Sequence, residues 1–163
     1  MATESDRYRL LRALISGPAS PGRLLDVLDV GCGPGNLIAY LPPFESYTGV
    51  DISEAAVSRA PRGKGITYAV VPLELFEPSR LFSTIVFNEV LYYCQFELVI
   101  ARYHKFLQTD GRVLTSLYDG LGQTPGIAEA ISHELDRQLV LAERRIVSDE
   151  WSRKWILAAH TMG

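Results

Sequence analysis

Between residues 29 and 35 the chain reads DVGCGPG, an acid followed by glycines at 31, 33 and 35, directly behind the apolar run of residues 24–30. Glycine has no Cβ, so such a turn lets main chain come close to a ligand, with the amides that open the next helix pointing outward. A second acid, Asp51, closes the next apolar stretch, where a carboxylate can accept hydrogen bonds from both hydroxyls of a ribose. Nicotinamide dinucleotides want their glycines in the order GxGxxG, the third one lying where helix packs on strand. Asn36 holds that position here, and the glycines run GxGxG instead. Asp51 alone does not discriminate, since dinucleotide enzymes also use an acid at this point.

The elements that must position these residues alternate between strand and helix. Residues 24–30, 47–50, 66–71, 81–87 and 112–118 read as short buried strands rich in Val, Ile and Leu. Between them, residues 36–41 start a short helix that Pro42 and Pro43 break, residues 53–60 form a helix with Ser53 as N-cap, and residues 96–107 form an amphipathic helix. Asp110 and Gly111 supply turn chemistry ahead of the fifth strand. An opening helix over 5–15, a connector over 18–22, a late helix over 127–137 and a hairpin of strands 139–148 and 153–161 around Asp149 and Glu150 complete the chain. This pattern predicts a mainly parallel α/β sheet whose last strand runs antiparallel. It also predicts one domain over 1–163: a cap helix and connector over 1–20, a cofactor-binding core over 24–118, and a substrate-side loop, helix and hairpin over 119–163.

Composition narrows the partners. The 163 residues are 47% hydrophobic and 21% charged, an ordinary globular balance. A net charge of −3 with no basic run argues against a nucleic-acid partner. Cys32 and Cys94 stand far apart without a CxxC or a histidine-rich companion, so neither a metal site nor a disulfide framework is expected. The first residues place acids ahead of their apolar part, and no run of eighteen apolar residues occurs. The expectation is a soluble cytoplasmic protein with no membrane partner, a monomer or homodimer.

The segments LLDVLDVGCGPGNL, YTGVDIS, STIVFNEVLYYC and FLQTDGRVLTSLYD resemble motifs I, II, IV and V of the small class I methyltransferases that use S-adenosyl-L-methionine. Within that superfamily YRLLRALI, NEVLYY and the short terminal hairpin are most similar to the nodulation-type (NodS-like) N-methyltransferases. The resemblance implies a Rossmann-like fold with a seven-stranded mixed sheet, helices on both faces, and methyl transfer to N or O of a small-molecule acceptor. A binding module without turnover, or the same fold running a non-methylating reaction, are the competing readings. Three departures stand out: Pro72 lies where the family often has an acid for the adenine amino group, Ser83 replaces an Asp, and Thr109-Asp110-Gly111 replaces a Pro-Gly-Gly turn.

Carried over position by position, the resemblance implies that Asp29, Gly31, Cys32, Gly33, Gly35, Asn36, Asp51 and Ile52 hold the methionine and ribose parts of the cofactor. Val71, Pro72 and Leu73, with Glu74 as a substitute acid, face the adenine, and Asn88 and Glu89 face the methyl group. Glu89 is read either as a carboxylate that hydrogen-bonds backbone or the ligand's amino group, or as a base; Tyr92 and His133 are the other catalytic candidates. Of Tyr92 and Tyr93, one should be core and the other line the cleft. Tyr118 and Asp119 are placed by topology near substrate, Arg7 and Tyr8 are candidates to close over the cofactor, and Cys32 should be a packed small residue. His104 reads as a surface or packed residue and His160 as structural. Methyl transfer from a sulfonium is an in-line displacement dominated by alignment, so no obligatory catalytic signature marks the sequence.

Overall fold

The computed structural model describes residues 4–16, 23–120, 122–149 and 151–163, with nothing said of the side chains of residues 4 and 5. The expected connector over 18–22 and the turn residue Glu150 lie outside the described residues. Helix α1 (Glu4–Ile15) is followed by β1 (Leu25–Val30), a 3₁₀ turn (Asn36–Tyr40), β2 (Phe44–Asp51), α2 (Glu54–Val57), β3 (Ile66–Val70) and β4 (Phe82–Asn88). Then come α3 (Phe96–Tyr103), β5 (Leu107–Asp119), α4 (Ile127–Gln138), β6 (Val140–Ser148) and β7 (Lys154–Thr161). The seven strands form one sheet in the order β3-β2-β1-β4-β5-β7-β6. Strands β1 to β5 pair in parallel, whereas β7 lies antiparallel between β5 and β6. The strand order reverses beside β1, so the crevice between the carboxyl ends of β1 and β4 is where an open α/β sheet takes its ligand.

Alternation along the strands divides the core in two. Leu28, Val30, Ile85 and Phe87 face α3 and α4, packing with Val99, Ile100, Tyr103, Ile131 and Leu135. Val27, Val86, Leu114 and Leu157 face the other way, against Leu11, Leu14 and Ile15 of α1. Helix α1 therefore covers one face of the sheet through an apolar stripe, as the spacing in the sequence requires.

Boundaries shift where local chemistry competes. The β2 strand begins at Phe44, earlier than residues 47–50 alone suggest, because Leu25 takes Phe44 as its partner before the register slips at Asp26. The helix expected over 53–60 holds only Glu54–Val57 as α-helix, capped by the Ser53 hydroxyl accepting from the Ala56 amide at 3.2 Å. Against β4, pairing of β5 jumps from Phe82↔Leu107 to Thr84↔Arg112, so Asp110 and Gly111 sit in an irregular excursion inside the strand and not in a separate turn. Ser83 ties β4 to the start of β1, its hydroxyl accepting from the Asp26 amide at 2.9 Å and donating to the Asp26 carbonyl at 3.2 Å.

Candidate active site

At the carboxyl ends of β1, β2 and β4 lies a cavity of about 340 Å³. Gly31, Asp51 and Ile52 line it from the first two strands, Pro72, Leu73 and Glu74 from the segment after β3, and Glu89, Val90, Tyr93 and Cys94 from the segment after β4. Three of these are carboxylic acids, and among the described residues no Lys, Arg or His lines the cavity. Gly31, Gly33 and Gly35 all have positive φ, of 73°, 52° and 75°. The turn they form is stitched to β2: the Gly31 and Cys32 amides donate to the Val50 carbonyl at 2.7 and 3.0 Å. The Gly33 amide donates to Asp51 Oδ2 at 2.8 Å, and the Ser53 amide donates to Asp51 Oδ1 at 2.8 Å. Each carboxylate oxygen keeps a second lone pair for a further donor.

Behind the turn, Asp29 is 2% exposed. Its Oδ2 accepts from the Tyr47 hydroxyl at 2.6 Å, while Oδ1 is buried without a partner among the described residues. Burial is the main cause that pushes this carboxyl up to about 7, against the Tyr47 hydrogen bond, and the charge of Asp51 adds to it. Cys32 is buried against the same turn, where burial and then the charges of Asp29 and Asp51 push its thiol up to about 12. A thiol held that high is a packing group and not a nucleophile.

Glu89 follows β4 with a φ of 59°, in the left-handed region that a non-glycine residue rarely occupies. Such a backbone persists where surrounding contacts over-determine it, and Glu89 is heavily tied. Its amide donates to the Ser116 carbonyl at 3.0 Å. Its Oε1 accepts from the Ser116 hydroxyl at 2.6 Å, and its Oε2 accepts from the Tyr118 amide at 3.0 Å and the Tyr92 hydroxyl at 3.2 Å. Burial raises the Glu89 carboxyl above the ordinary range, opposed by the Ser116 hydrogen bond and then the Arg7 charge.

A family model described as a methyltransferase domain matches residues 3–155. The chain belongs to the methyltransferase-domain family. No curated protein sequence matches it. Among solved structures, the N-methyltransferase NodS from Bradyrhizobium japonicum WM9 superposes with a TM-score of 0.84 at 23% identity, over 98% of this chain and 97% of that one. The same enzyme in complex with S-adenosyl-L-homocysteine gives 0.83 at 24% identity, over 96% and 86%. The 1,6-didemethyltoxoflavin-N1-methyltransferase of Burkholderia thailandensis, with its substrate and S-adenosylhomocysteine bound, gives 0.73 at 19% identity, over 96% and 76%. These likenesses show the fold, that of the class I methyltransferases, with the mixed seven-stranded sheet expected above.

The residues present in this methyltransferase fit an adenosyl sulfonium. The buried Asp29 Oδ1 needs a donor, Asp51 has acceptor capacity at the mouth, and a Cβ at Gly33 would meet no atom within 4 Å, leaving room above the turn. The expected cofactor residues are only partly gathered in one cavity. Gly31, Asp51, Ile52, Pro72, Leu73 and Glu89 line it, whereas Val71 supports it by donating its amide to the Asp51 carbonyl at 3.0 Å. Gly35 and Asn36 instead line a second, open groove with Tyr8 and Tyr40. Asn88 turns to α1, its Oδ1 accepting from Arg7 Nη1 and its Nδ2 donating to the Tyr8 hydroxyl at 3.4 Å.

Of the catalytic candidates, Tyr92 packs on the core and aims its hydroxyl at Glu89, and it is Tyr93 that lines the cavity. His133 is not brought to the cavity. It sits exposed on α4, on the side away from the buried face of Ala128, Ile131, Ser132 and Leu135. That helical phase was the available signal against it. His160 is buried in β7, its Nε2 2.9 Å from Asp136 Oδ1. Sequence reasoning missed Ser116, the β5 partner of Asn88 in the parallel register, a placement that only the strand pairing reveals. It missed Val90 too, which closes over Gly31.

Among the described residues no group of three or more His, Cys, Asp or Glu stands close enough to hold a metal ion, and no helix is long and apolar enough to cross a membrane.

Proposed function

We propose that this methyltransferase moves a methyl group from S-adenosyl-L-methionine to a nitrogen or oxygen of a small-molecule acceptor. The observation that carries the reading is the cavity at the strand ends, lined by Asp51, Glu74 and Glu89 with no cationic side chain among the described residues. A dinucleotide would set its doubly charged pyrophosphate among these acids, and like charges brought together cost several kcal/mol. A sulfonium with an ammonium group is attracted by the same acids. When bound, the cofactor supplies an electrophilic methyl carbon, which the acceptor's lone pair takes in line as the carbon–sulfur bond breaks and its electron pair returns to sulfur.

The chain's own residues hold and exclude. Asp51 accepts from the ribose hydroxyls with the lone pairs left by Gly33 and Ser53. The turn from Gly31 to Gly35 and the buried Asp29 receive the amino acid end, and Pro72, Leu73 and Glu74 enclose the adenine, with Glu74 as the acid nearest the position where the family often has one. Glu89, fixed by four hydrogen bonds, presents a rigid carboxylate beside the methyl group, which favours positive charge there and orients the acceptor. Holding the reacting atoms in line supplies about 7–11 kcal/mol of the barrier reduction. Where the acceptor must lose a proton, the base that takes it contributes about 10²–10⁴-fold.

Titration calorimetry with S-adenosylmethionine, S-adenosylhomocysteine and NADH, followed by transfer of isotopically labelled methyl to a panel of small amines and hydroxy compounds, tests the proposal. Heat from the first two ligands and labelled product support it. Affinity for NADH alone would remove it, binding without transfer across the panel would leave a binding module, and a product without added methyl would leave a different reaction on the same fold.

A further inference from the structure

The N-terminal helix reaches across the sheet to the site through one side chain. Arg7 lies on α1, and its side chain is 11% exposed. Its Nη1 donates to Asn88 Oδ1, stands 3.4 Å from the Ser116 hydroxyl oxygen and stands 3.6 Å from Glu89 Oε1. These three partners come from the end of β4, the segment after it and the neighbouring strand β5, and all three belong to the one network that fixes the Glu89 carboxylate. We infer that Arg7 is a positioning residue of the active site, bolting α1 to Asn88 and Glu89 so that the helix that covers the sheet also sets the carboxylate beside the reacting methyl group.

Charge and geometry both single out this side chain. The groups that face Glu89 are Arg7 from α1, the Tyr92 hydroxyl from the turn after β4, and the Ser116 hydroxyl and Tyr118 amide from β5. Only Arg7 among these is charged at neutral pH. The other three donate hydrogen bonds, Ser116 to Oε1 and the other two to Oε2, but none supplies a positive charge to offset the loss of water around a mostly buried carboxylate. Asn88 cannot replace it, because a carboxamide is neutral and its Nδ2 donates to Tyr8. One guanidinium nitrogen, Nη1, stands at Asn88, Ser116 and Glu89 together, so a single charged group ties all three. Around Arg7 the helix is anchored independently, by Leu11, Leu14 and Ile15 in the core. Loss of the guanidinium therefore need not undock α1.

The inference rests on the proposed function only in that Glu89 belongs to the site, and its test does not depend on turnover. The Glu89 carboxyl is titrated by carbon-13 NMR in protein labelled at glutamate, the resonance being assigned with E89Q. In R7M the midpoint should rise by about one pH unit, because an opposite charge at this range ordinarily holds a carboxyl down by that amount or more. R7K, which keeps the charge, should return most of that movement. L11V, which loosens α1 in the core and leaves the guanidinium in place, should lower the melting temperature and leave the midpoint where it is. An unmoved midpoint in R7M, or an equal movement in L11V, overturns the inference, the second because docking in general would then be responsible. If the midpoint moves and no methyl transfer is ever found, the functional reading falls and this one stands.

Discussion

Replacing Gly33 with alanine separates the ligand cradle from the fold. At Gly33 φ is 52° and a Cβ would meet nothing within 4 Å, whereas at Gly31, with φ 73°, a Cβ would run into Val90 Cγ2 and lie 2.7 Å from Val90 Cβ. An L-residue in the left-handed region costs about 1–2 kcal/mol, and that is the whole expected penalty for G33A. For a chain of this size it lowers the melting temperature by roughly 2–8 °C. G31A carries the same backbone cost plus overpacking against Val90 of about 1–3 kcal/mol, so it should melt clearly lower. Binding reverses the order of interest. The G33A methyl group occupies the open side of the turn, and an intrusion of about 1–3 kcal/mol into a close contact weakens affinity roughly 5- to 150-fold. Differential scanning fluorimetry and S-adenosylhomocysteine calorimetry on both variants measure the two effects. A G33A protein that loses stability as stated and still binds S-adenosylhomocysteine like the parent would refute the reasoning, since the ligand would then not pass over the turn. Equal melting temperatures for the two variants would refute the Val90 contact.

Two further outcomes follow from buried titratable groups. The Asp29 carboxyl sits at about 7 in the folded chain against 3.8 for an ordinary Asp, so the folded state holds its proton longer and Asp29 costs stability progressively as pH rises from about 4 to 7; D29N should therefore raise the melting temperature at pH 8, by an amount that fades towards pH 4.5, as scanning calorimetry across that range would show. His160 is held below its ordinary 6.5, chiefly by burial against the raising effect of Asp136, so the folded state resists its protonation and stability is lost as pH falls below about 6.5; D136N, which leaves Asp136's partner Arg144 and the buried imidazole without their anion, should destabilise by about 1–3 kcal/mol in urea unfolding at pH 7.5.

The parts of the fold that local chemistry dictates were legible in the sequence. The run LDVLDV ahead of three glycines could be little other than a buried strand ending in a ligand turn, and the 3.6-residue spacing of Leu11, Leu14 and Ile15 fixed the buried stripe of α1. Boundaries failed where pairing overrides propensity: residues 107–111 belong to β5 only because Phe82 takes Leu107 as partner before the register slips. At the site, Asp51 and the glycine turn declare themselves because they depend on backbone shape. The Glu89 network does not, because Arg7 and Ser116 are separated by 109 positions and meet only when α1 crosses the sheet. Tyr92 and Tyr93 show the same limit. Adjacent aromatics could be ranked as one inward and one outward, but which of them lines the cavity depends on the short 3₁₀ turn Leu91–Tyr93, where helical phase is too brief to read.

The place of β7 has a consequence for how the molecule is made. It follows β6 in sequence yet lies inside the sheet, with β5 on one side and β6 on the other. A nascent polypeptide leaving the ribosome can pair β1 to β5 as they emerge, but β6 has no strand to pair with and β5 keeps a bare edge until residue 161 is free. Deleting residues 154–161 would thus do more than trim a border: it would take β6 out of the sheet's pairing and leave β5 with an open flank, the kind of flank along which incomplete chains adhere to one another.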